Sequence, residues 1–246
     1  MINTQRQVLK VSEKLANCRK HGFYLNCQKC GYTHKVAIAC KLRICPLDQS
    51  FLAMRTNETI SRVVALMKNP AFLTLTAPPE SFFLQDGLKQ MRKYAHLLFR
   101  KLKRLNYPLG NWVMVYEVSK NESRYNHHLH LILDTKFIPQ PLISKLAAET
   151  GLGKIVYITR LTKAGAVGYL SKYVSKGNSI TVLEYVKAFM RKRWFSTSLD
   201  KKDITRTRLS KCPSCNSSGT LLFTALWTSD LNYFVNSAPT GTYLDP

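Results

Sequence analysis

The stretch NHHLHLILD, residues 126–134, has the alternation of polar and apolar residues that is typical of a β-strand packed on one face. Because successive side chains of a strand point to opposite faces, His128 and His130 share one face and Leu129 and Leu131 the other. Two imidazoles on one face stand about 7 Å apart, and a divalent cation bound to both would compensate their burial. The other interpretation is a pair of core histidines hydrogen-bonded to backbone or water.

The segment before this strand carries a single acid among apolar residues. Residues 112–119 predict a second strand, and the polar loop at 120–125 predicts a hairpin between the two. If the strands pair directly across that loop, Glu117 lies opposite His128. Together with His130 these residues would form a ligand set for Mg²⁺ or Mn²⁺ that leaves coordination positions open for a phosphate oxygen. An exposed carboxylate at the hairpin end is the alternative.

Helices and strands flanking the hairpin complete a known order of elements. The predicted elements are a helix over 49–67, a strand over 72–76 (FLTLT), a helix over 81–105, the hairpin, a helix over 139–150, a strand over 155–160 and a helix over 164–176. From FLTLT onward the order is β-α-β-β-α-β-α, the split βαβ arrangement of a ferredoxin-like sheet with one further helix. The predicted fold class is therefore α+β with an antiparallel sheet.

The last predicted helix, which contains GYLSKYVSK at 168–176, combines phenols and ammonium groups. At helical spacing, one face carries Tyr169, Lys172, Tyr173 and Lys176. A phenol has a pKa near 10, so it is a poor nucleophile at neutral pH unless nearby cations stabilise the phenolate and the charge that develops on a phosphate. An amphipathic helix with no catalytic role is the alternative.

These elements together resemble the HUH endonucleases, a family of rolling-circle replication initiators, conjugative relaxases and some transposases. The resemblance covers about residues 71–176 and rests on FLTLT, on His128-Leu129-His130 and on the helix with two tyrosines and two lysines. Tyrosines separated by three residues resemble the two-tyrosine subgroup of phage and plasmid initiators. The resemblance implies a ferredoxin-like HUH endonuclease core.

The same resemblance implies a metal-dependent DNA endonuclease and strand transferase that acts in rolling-circle replication. The implied catalytic residues are Tyr169, Tyr173, Lys172 and Lys176, and the implied ligands of Mg²⁺ or Mn²⁺ are His128, His130 and Glu117. One tyrosine would nick single-stranded origin DNA and form a covalent 5′-phosphotyrosine link, and the strands would be rejoined at termination. Two alternatives stay open: a single-strand transposase of the same family, and a non-catalytic zinc-containing DNA-binding protein.

Cysteines at both ends of the chain predict zinc sites outside this core. Five of the seven fall within the first 45 residues, and the predicted zinc ligands are Cys27, Cys30, Cys40 and Cys45. Asp48 stands where a Cys-Pro-x-Cys sequence would have its last thiol. A second zinc site is considered for Cys18, His21, Cys212 and Cys215, which would fold the tail onto the N-terminal module. Reduced free thiols and a weakly structured tail are the alternatives.

The predicted domains are a cysteine-rich zinc-binding module over 1–50, the endonuclease domain over 51–200 and a C-terminal extension over 201–246 that carries the Cys-x₂-Cys sequence. The domain order places the core between two cysteine-bearing segments. We expect structural Zn²⁺ at the ends and Mg²⁺ or Mn²⁺ in the core.

The charge of the chain predicts a polyanionic partner. Lys and Arg number 37 against 14 Asp and Glu, a formal net charge of +23. We expect single-stranded or supercoiled origin DNA as the partner, with Arg191, Lys192 and Arg193 as DNA-binding residues, although a basic helix end is the alternative. Without a Walker A sequence in the chain, a host helicase and polymerase are expected partners. No membrane-spanning stretch is found, so we expect a cytoplasmic protein of a plasmid or virus host.

Overall fold

The computed structural model describes residues 2–78, 83–121, 124–175, 180–190, 192–199, 211–218 and 221–228 of the 246-residue chain. The helices are α1 Ile2–Ala16, α2 Pro46–Ala65, α3 Leu84–Arg104, α4 Gln140–Glu149, α5 Lys163–Ser175 and α6 Val182–Phe189. The strands are β1 His21–Cys27, β2 Thr33–Ala37, β3 Pro70–Thr76, β4 Leu109–Asn121, β5 Arg124–Thr135, β6 Val156–Arg160, β7 Phe195–Thr197 and β8 Leu221–Thr228. The predicted start of α3 at Ser81 lies outside the described residues.

The central sheet has five strands in the order β6-β3-β5-β4-β7, and every neighbouring pair is antiparallel. Its first four strands are joined as in the split βαβ arrangement, with α3 between β3 and β4 and α4 between β5 and β6. The prediction of an α+β fold with an antiparallel ferredoxin-like sheet is therefore confirmed. The short strand β7 adds a fifth position at the edge beside β4.

Helices cover both faces of this sheet, as the side-chain alternation of its strands requires. On one face, Phe72, Val115 and Ile132 pack against α2 and α5. On the other, Leu73 and Leu131 belong to the core that includes α3, α4 and α6. Among the described helices, none has both the length and the apolar character that crossing a membrane requires.

A second sheet of three strands brings the two ends of the chain together. Its order is β2-β1-β8, and β8 pairs antiparallel with β1 from His21 opposite Thr228 to Cys27 opposite Leu221. A strand of the predicted C-terminal extension therefore lies in the same sheet as the strands of the N-terminal module. The domain boundaries at 50 and 200 stay a prediction.

Candidate active site and cysteine clusters

The register of the central sheet assembles a polar patch on the face that α2 and α5 cover. Glu117 of β4 lies opposite His128 of β5, as the hairpin loop predicts. On the other side of β5, Thr76 lies opposite His128 and Thr74 opposite His130. Three adjacent strands thus contribute polar side chains to one surface that is otherwise apolar.

Hydrogen bonds fix the imidazoles of this patch. His130 Nε2 lies 2.8 Å from Glu117 Oε2, and both residues are buried. The hydroxyl of Thr74 lies 3.1 Å from Nδ1 of His130, and that of Thr76 lies 3.1 Å from Nδ1 of His128. The two rings are nearly parallel, with centroids 6.1 Å apart. Because the threonines engage Nδ1, Nε2 is the nitrogen on each ring that points away from β3.

The donor chemistry of this patch fits a hard divalent cation, but its spacing is wider than that of a closed metal site. In the described ranges, two groups of His, Cys, Asp or Glu have ligand atoms that all lie within 4.8 Å of one another, and both are cysteine clusters. The set of His128, His130 and Glu117 is not among them. Two imidazoles and a carboxylate are nonetheless a donor set that Mn²⁺ and Mg²⁺ accept in open sites.

Both predicted tyrosines belong to α5, and their rings pack over this patch. Leu170 and Val174 are buried and pack on the sheet, as the helical spacing predicts. The ring of Tyr173 is stacked on His130 with centroids 3.5 Å apart, and the ring of Tyr169 lies 4.3 Å from that of Phe72. The two tyrosine rings are 6.0 Å apart. The nitrogen of Lys172 is 5.3 Å from the ring centre of Tyr169, whereas Lys176 lies outside the described residues.

The surroundings of Tyr173 make its phenol a weaker acid than usual. Burial is the main cause, and the neighbouring Tyr169 and the carboxylate of Glu117 act in the same direction, so that the pKa of Tyr173 is raised to about 12. At neutral pH the hydroxyl is protonated. Nucleophilic attack by this oxygen would therefore require positive charge beside it.

Residues that the sequence did not single out complete the surroundings of the patch. Thr74 and Thr76 orient the imidazoles, and the alternation of FLTLT placed them on that face without assigning a role. Arg43, between two cysteines, is buried against the core of the central sheet; burial lowers its pKa to about 10 and the carboxylate of Glu117 opposes that shift. No feature of the sequence distinguishes this arginine from the other basic residues of a chain with 37 Lys and Arg.

The cysteines group differently from the prediction. One cluster consists of Cys27, Cys30, Cys212 and Cys215, and the other of Cys18, Cys40, Cys45 and Asp48. The predicted set of Cys27, Cys30, Cys40 and Cys45 is thus divided between two sites, because the Cys-x₂-Cys turn before β8 supplies the two thiols that complete the first. Each cluster can hold a metal ion such as zinc.

The second predicted set, Cys18, His21, Cys212 and Cys215, is corrected in the same way. The tail does fold onto the N-terminal module, but Cys212 and Cys215 meet Cys30 and Cys27, with Sγ atoms 3.7 Å apart in each pair. His21 belongs to neither cluster and lies in β1 opposite Thr228. The ring of His34 reaches the first cluster instead, with Nε2 3.3 Å from Cys212 Sγ.

The thiols and the carboxylate of the second cluster are groups that bind cations. Asp48 is fully buried; burial alone would raise its pKa, but hydrogen bonds from Arg19 at 2.8 Å and from the Lys41 amide at 3.0 Å lower it overall. Burial, together with the neighbouring Cys18, Cys45 and Asp48, raises the pKa of the Cys40 thiol. A metal ion bound by these thiols would displace their protons and would compensate the charge of the thiolates beside the carboxylate.

The predicted DNA-binding residues are only partly described. Arg191 lies outside the described residues. Lys192 and Arg193 are exposed, but the ammonium of Lys192 donates to the carbonyl of Gln85 at 2.5 Å and to that of Lys187 at 3.3 Å. Lys192 thus holds the end of α6 on the start of α3.

Residues 70–178 match the model of a family described as replication-associated protein ORF2. This span coincides with the segment of the HUH resemblance and is consistent with a rolling-circle replication protein, although it does not identify the two-tyrosine subgroup. The match connects this segment with proteins that are associated with replication. No curated protein and no solved structure is detectably similar to the chain.

Proposed function

We propose that this chain, whose residues 70–178 match a family of replication-associated proteins, initiates rolling-circle replication by nicking single-stranded origin DNA. The observation that carries the proposal is the stacking of Tyr173 on His130 at 3.5 Å. It puts a phenol of α5 over the histidine pair of β5, with Tyr169 one helical turn away. A nucleophile and a candidate cation site thus share one surface.

His128, His130 and Glu117 would hold Mg²⁺ or Mn²⁺. The fit rests on the donor set, which is two imidazoles and a buried carboxylate, and on threonine hydroxyls that hold both imidazoles by Nδ1. When bound, such a cation would polarise the scissile phosphate and stabilise the charge that develops on its oxygens.

The chain's own groups would perform the transfer. The oxygen of Tyr169 or Tyr173 attacks phosphorus, the bond from phosphorus to the 3′ oxygen breaks, and a 5′-phosphotyrosine and a 3′ hydroxyl result. The phenol loses one proton and the leaving oxygen gains one, so the proton count is unchanged. One phosphodiester replaces another, which keeps the bond energy for rejoining by attack of a 3′ hydroxyl at termination. The second tyrosine would make the cut that releases a circle.

Cations beside the tyrosines serve both binding and catalysis in this proposal. Lys172 is exposed, and its nitrogen lies 5.3 Å from the ring centre of Tyr169, a position from which it can stabilise charge on that side of the phosphate. The net charge of +23 favours DNA through counterion release. Lys176, Arg191, Lys192 and Arg193 are proposed as further DNA contacts, and a host helicase and polymerase as cytoplasmic partners.

Covalent capture tests the proposal. The chain is incubated with Mn²⁺ and a 3′-end-labelled pool of single-stranded oligonucleotides, because a 5′-phosphotyrosine retains the downstream fragment. We expect a labelled adduct that resists SDS. The double variant Tyr169→Phe with Tyr173→Phe should lose the adduct and keep oligonucleotide binding. An adduct that persists in this variant would contradict the assigned nucleophiles, and a wild-type chain that binds DNA without an adduct would indicate a non-catalytic DNA-binding protein.

A further inference from the structure

Arg43 lies in the loop that contains Cys40 and Cys45 of the second cysteine cluster. The loop runs from the end of β2 at Ala37 to the start of α2 at Pro46. Cys40 and Cys45 of the cluster flank Arg43, and the Lys41 amide donates to Asp48 Oδ2 at 3.0 Å. The backbone on either side of Arg43 is thereby fixed to the cluster, and its side chain leaves the N-terminal module and enters the core of the central sheet.

The guanidinium of Arg43 joins three elements around the central sheet. It donates from one nitrogen to the carbonyl of Tyr116 in β4 and from the other to the carbonyl of Tyr173 in α5, both at 3.0 Å. Its carbon lies 4.1 Å from the ring centre of Trp194, which precedes β7. With 3% of its surface exposed, Arg43 is buried as deeply as the apolar residues around it.

The contact with α5 is a cap on the end of the helix that carries the tyrosines. The carbonyl of Tyr173 is one of the last four of a helix that ends at Ser175, and such carbonyls have no partner within the helix. A cation there also faces the negative end of the helix dipole. Arg43 therefore holds the last turn of α5 in place.

The two carbonyls that Arg43 contacts, those of Tyr116 and Tyr173, lie beside the candidate active site. Tyr173 stacks on His130, and Glu117, which follows Tyr116 in β4, has its carboxylate oxygen 2.8 Å from His130 Nε2. Arg43 thus connects the backbone of β4 to the backbone of α5, and the side chain of His130 contacts residues of both elements. The separation between the phenol and the predicted cation ligands depends on that tie.

We propose that Arg43 is a positioning residue for DNA cleavage, presented by the cluster of Cys18, Cys40, Cys45 and Asp48 and holding α5 at a fixed distance from β4. The inference rests on the proposed function and makes the cysteine module part of the cleavage machinery. A displacement of reacting groups by about 1 Å can cost on the order of 100-fold in rate, so loss of the tie reduces the rate of the chemical step. It leaves the surfaces that bind DNA unchanged.

The test compares Arg43→Lys with Arg160→Lys. Lysine keeps the charge but cannot donate to two carbonyls in the same fork geometry. Arg160 is the control because one nitrogen of its exposed guanidinium donates to two carbonyls, those of Thr135 and Asn69, at 3.0 and 3.3 Å, at the opposite end of β3 and β5. We expect adduct formation in a single turnover, at saturating oligonucleotide, to slow by about 10- to 100-fold in Arg43→Lys. The control should keep the wild-type rate, and all three proteins should bind oligonucleotide and Mn²⁺ equally.

Amide hydrogen exchange gives a second readout that does not need catalysis. Peptides from the end of α5 should exchange faster in Arg43→Lys, and those from α3 should not. If Arg43→Lys fails to fold, Trp194→Leu loosens the guanidinium while retaining it and should slow the same step without weakening DNA binding. If the wild-type chain forms the adduct and these variants keep its rate of adduct formation or its amide exchange, the inference alone is overturned. If the wild-type chain forms no adduct, the proposed function is overturned and the inference with it.

Discussion

The threonine hydroxyls on the histidines allow a quantitative prediction about cation affinity. Groups that orient metal-bound imidazoles change affinity by about 10- to 100-fold when they are removed. Each hydroxyl lies 3.1 Å from Nδ1 of its histidine, so Thr74→Val and Thr76→Val remove the contact while keeping the shape of the side chain. At about 1.4 kcal/mol per factor of ten, the loss is about 1.4 to 2.8 kcal/mol of binding free energy.

The structure also ranks the two variants. His130 is held by Glu117 at 2.8 Å and by the ring of Tyr173 at 3.5 Å, in addition to Thr74. His128 is half-buried, whereas His130 is buried, so the His128 ring has more room to turn once the Thr76 hydroxyl is gone. We therefore expect Thr74→Val near the lower end of the range and Thr76→Val near the upper end.

Calorimetric titration of the zinc-loaded protein with Mn²⁺ measures this affinity directly. Thr56→Val is the matched control, because the Thr56 hydroxyl donates to the carbonyl of Leu52 at 2.8 Å within α2, a helix that carries none of the predicted ligands of Mg²⁺ or Mn²⁺. Its Mn²⁺ affinity should equal that of the wild type. Unchanged affinity in a folded Thr76→Val protein would refute the claim that the threonines orient the ligands, and a larger loss in Thr74→Val would refute the ranking.

Three further predictions concern the rest of the fold. Wild-type protein should bind two zinc ions per chain by elemental analysis, and Cys215→Ser and Cys45→Ser should each lose one while keeping the other; loss of both from either variant would contradict two separate clusters. Leu98→Ala, at a fully buried position of α3, should lower the free energy of unfolding in urea by about 2–5 kcal/mol, whereas Leu9→Ala at an exposed position should change it by less than about 0.5 kcal/mol. Hydrogen bonds from Lys120, Tyr125 and the Thr181 amide lower the pKa of Glu184 to about 2, so its stabilising contribution is complete above the ordinary carboxyl pKa of about 4.3 and is lost as the pH falls towards 2. Glu184→Gln should therefore lower stability by about 1–2 kcal/mol at pH 7, a value reduced for the exposure of Lys120, with little difference from the wild type near pH 2.

The central sheet could be predicted from the sequence because its signals are local. Alternation in 126–134 identifies which histidines share a face, and the length of the hairpin loop fixes Glu117 opposite His128. Helix periodicity likewise predicts that Leu170 and Val174 pack on the sheet and that the two tyrosines share another face of the helix. Each of these inferences needs only neighbours within one hairpin or one helix.

The cysteine clusters could not be predicted in the same way, because their partners are distant in sequence. Cys27 and Cys215 meet only because β1 pairs with β8, and local spacing cannot reveal a strand pairing between the two ends of a chain. Arg43 is missed for a related reason. Its partners are backbone carbonyls, which carry no mark in the amino-acid sequence.

The pairing of β1 with β8 bears on how the nascent chain acquires its structure on the ribosome. All strands of the central sheet lie between Pro70 and Thr197, so that sheet can form before the sheet at the N-terminus has its third strand. A translation product that stops after β7 would display the backbone donors and acceptors of β1 to any other extended segment. Premature termination would thus yield a folded central sheet joined to a β1 strand with an unpaired edge, which can pair with other chains and cause aggregation.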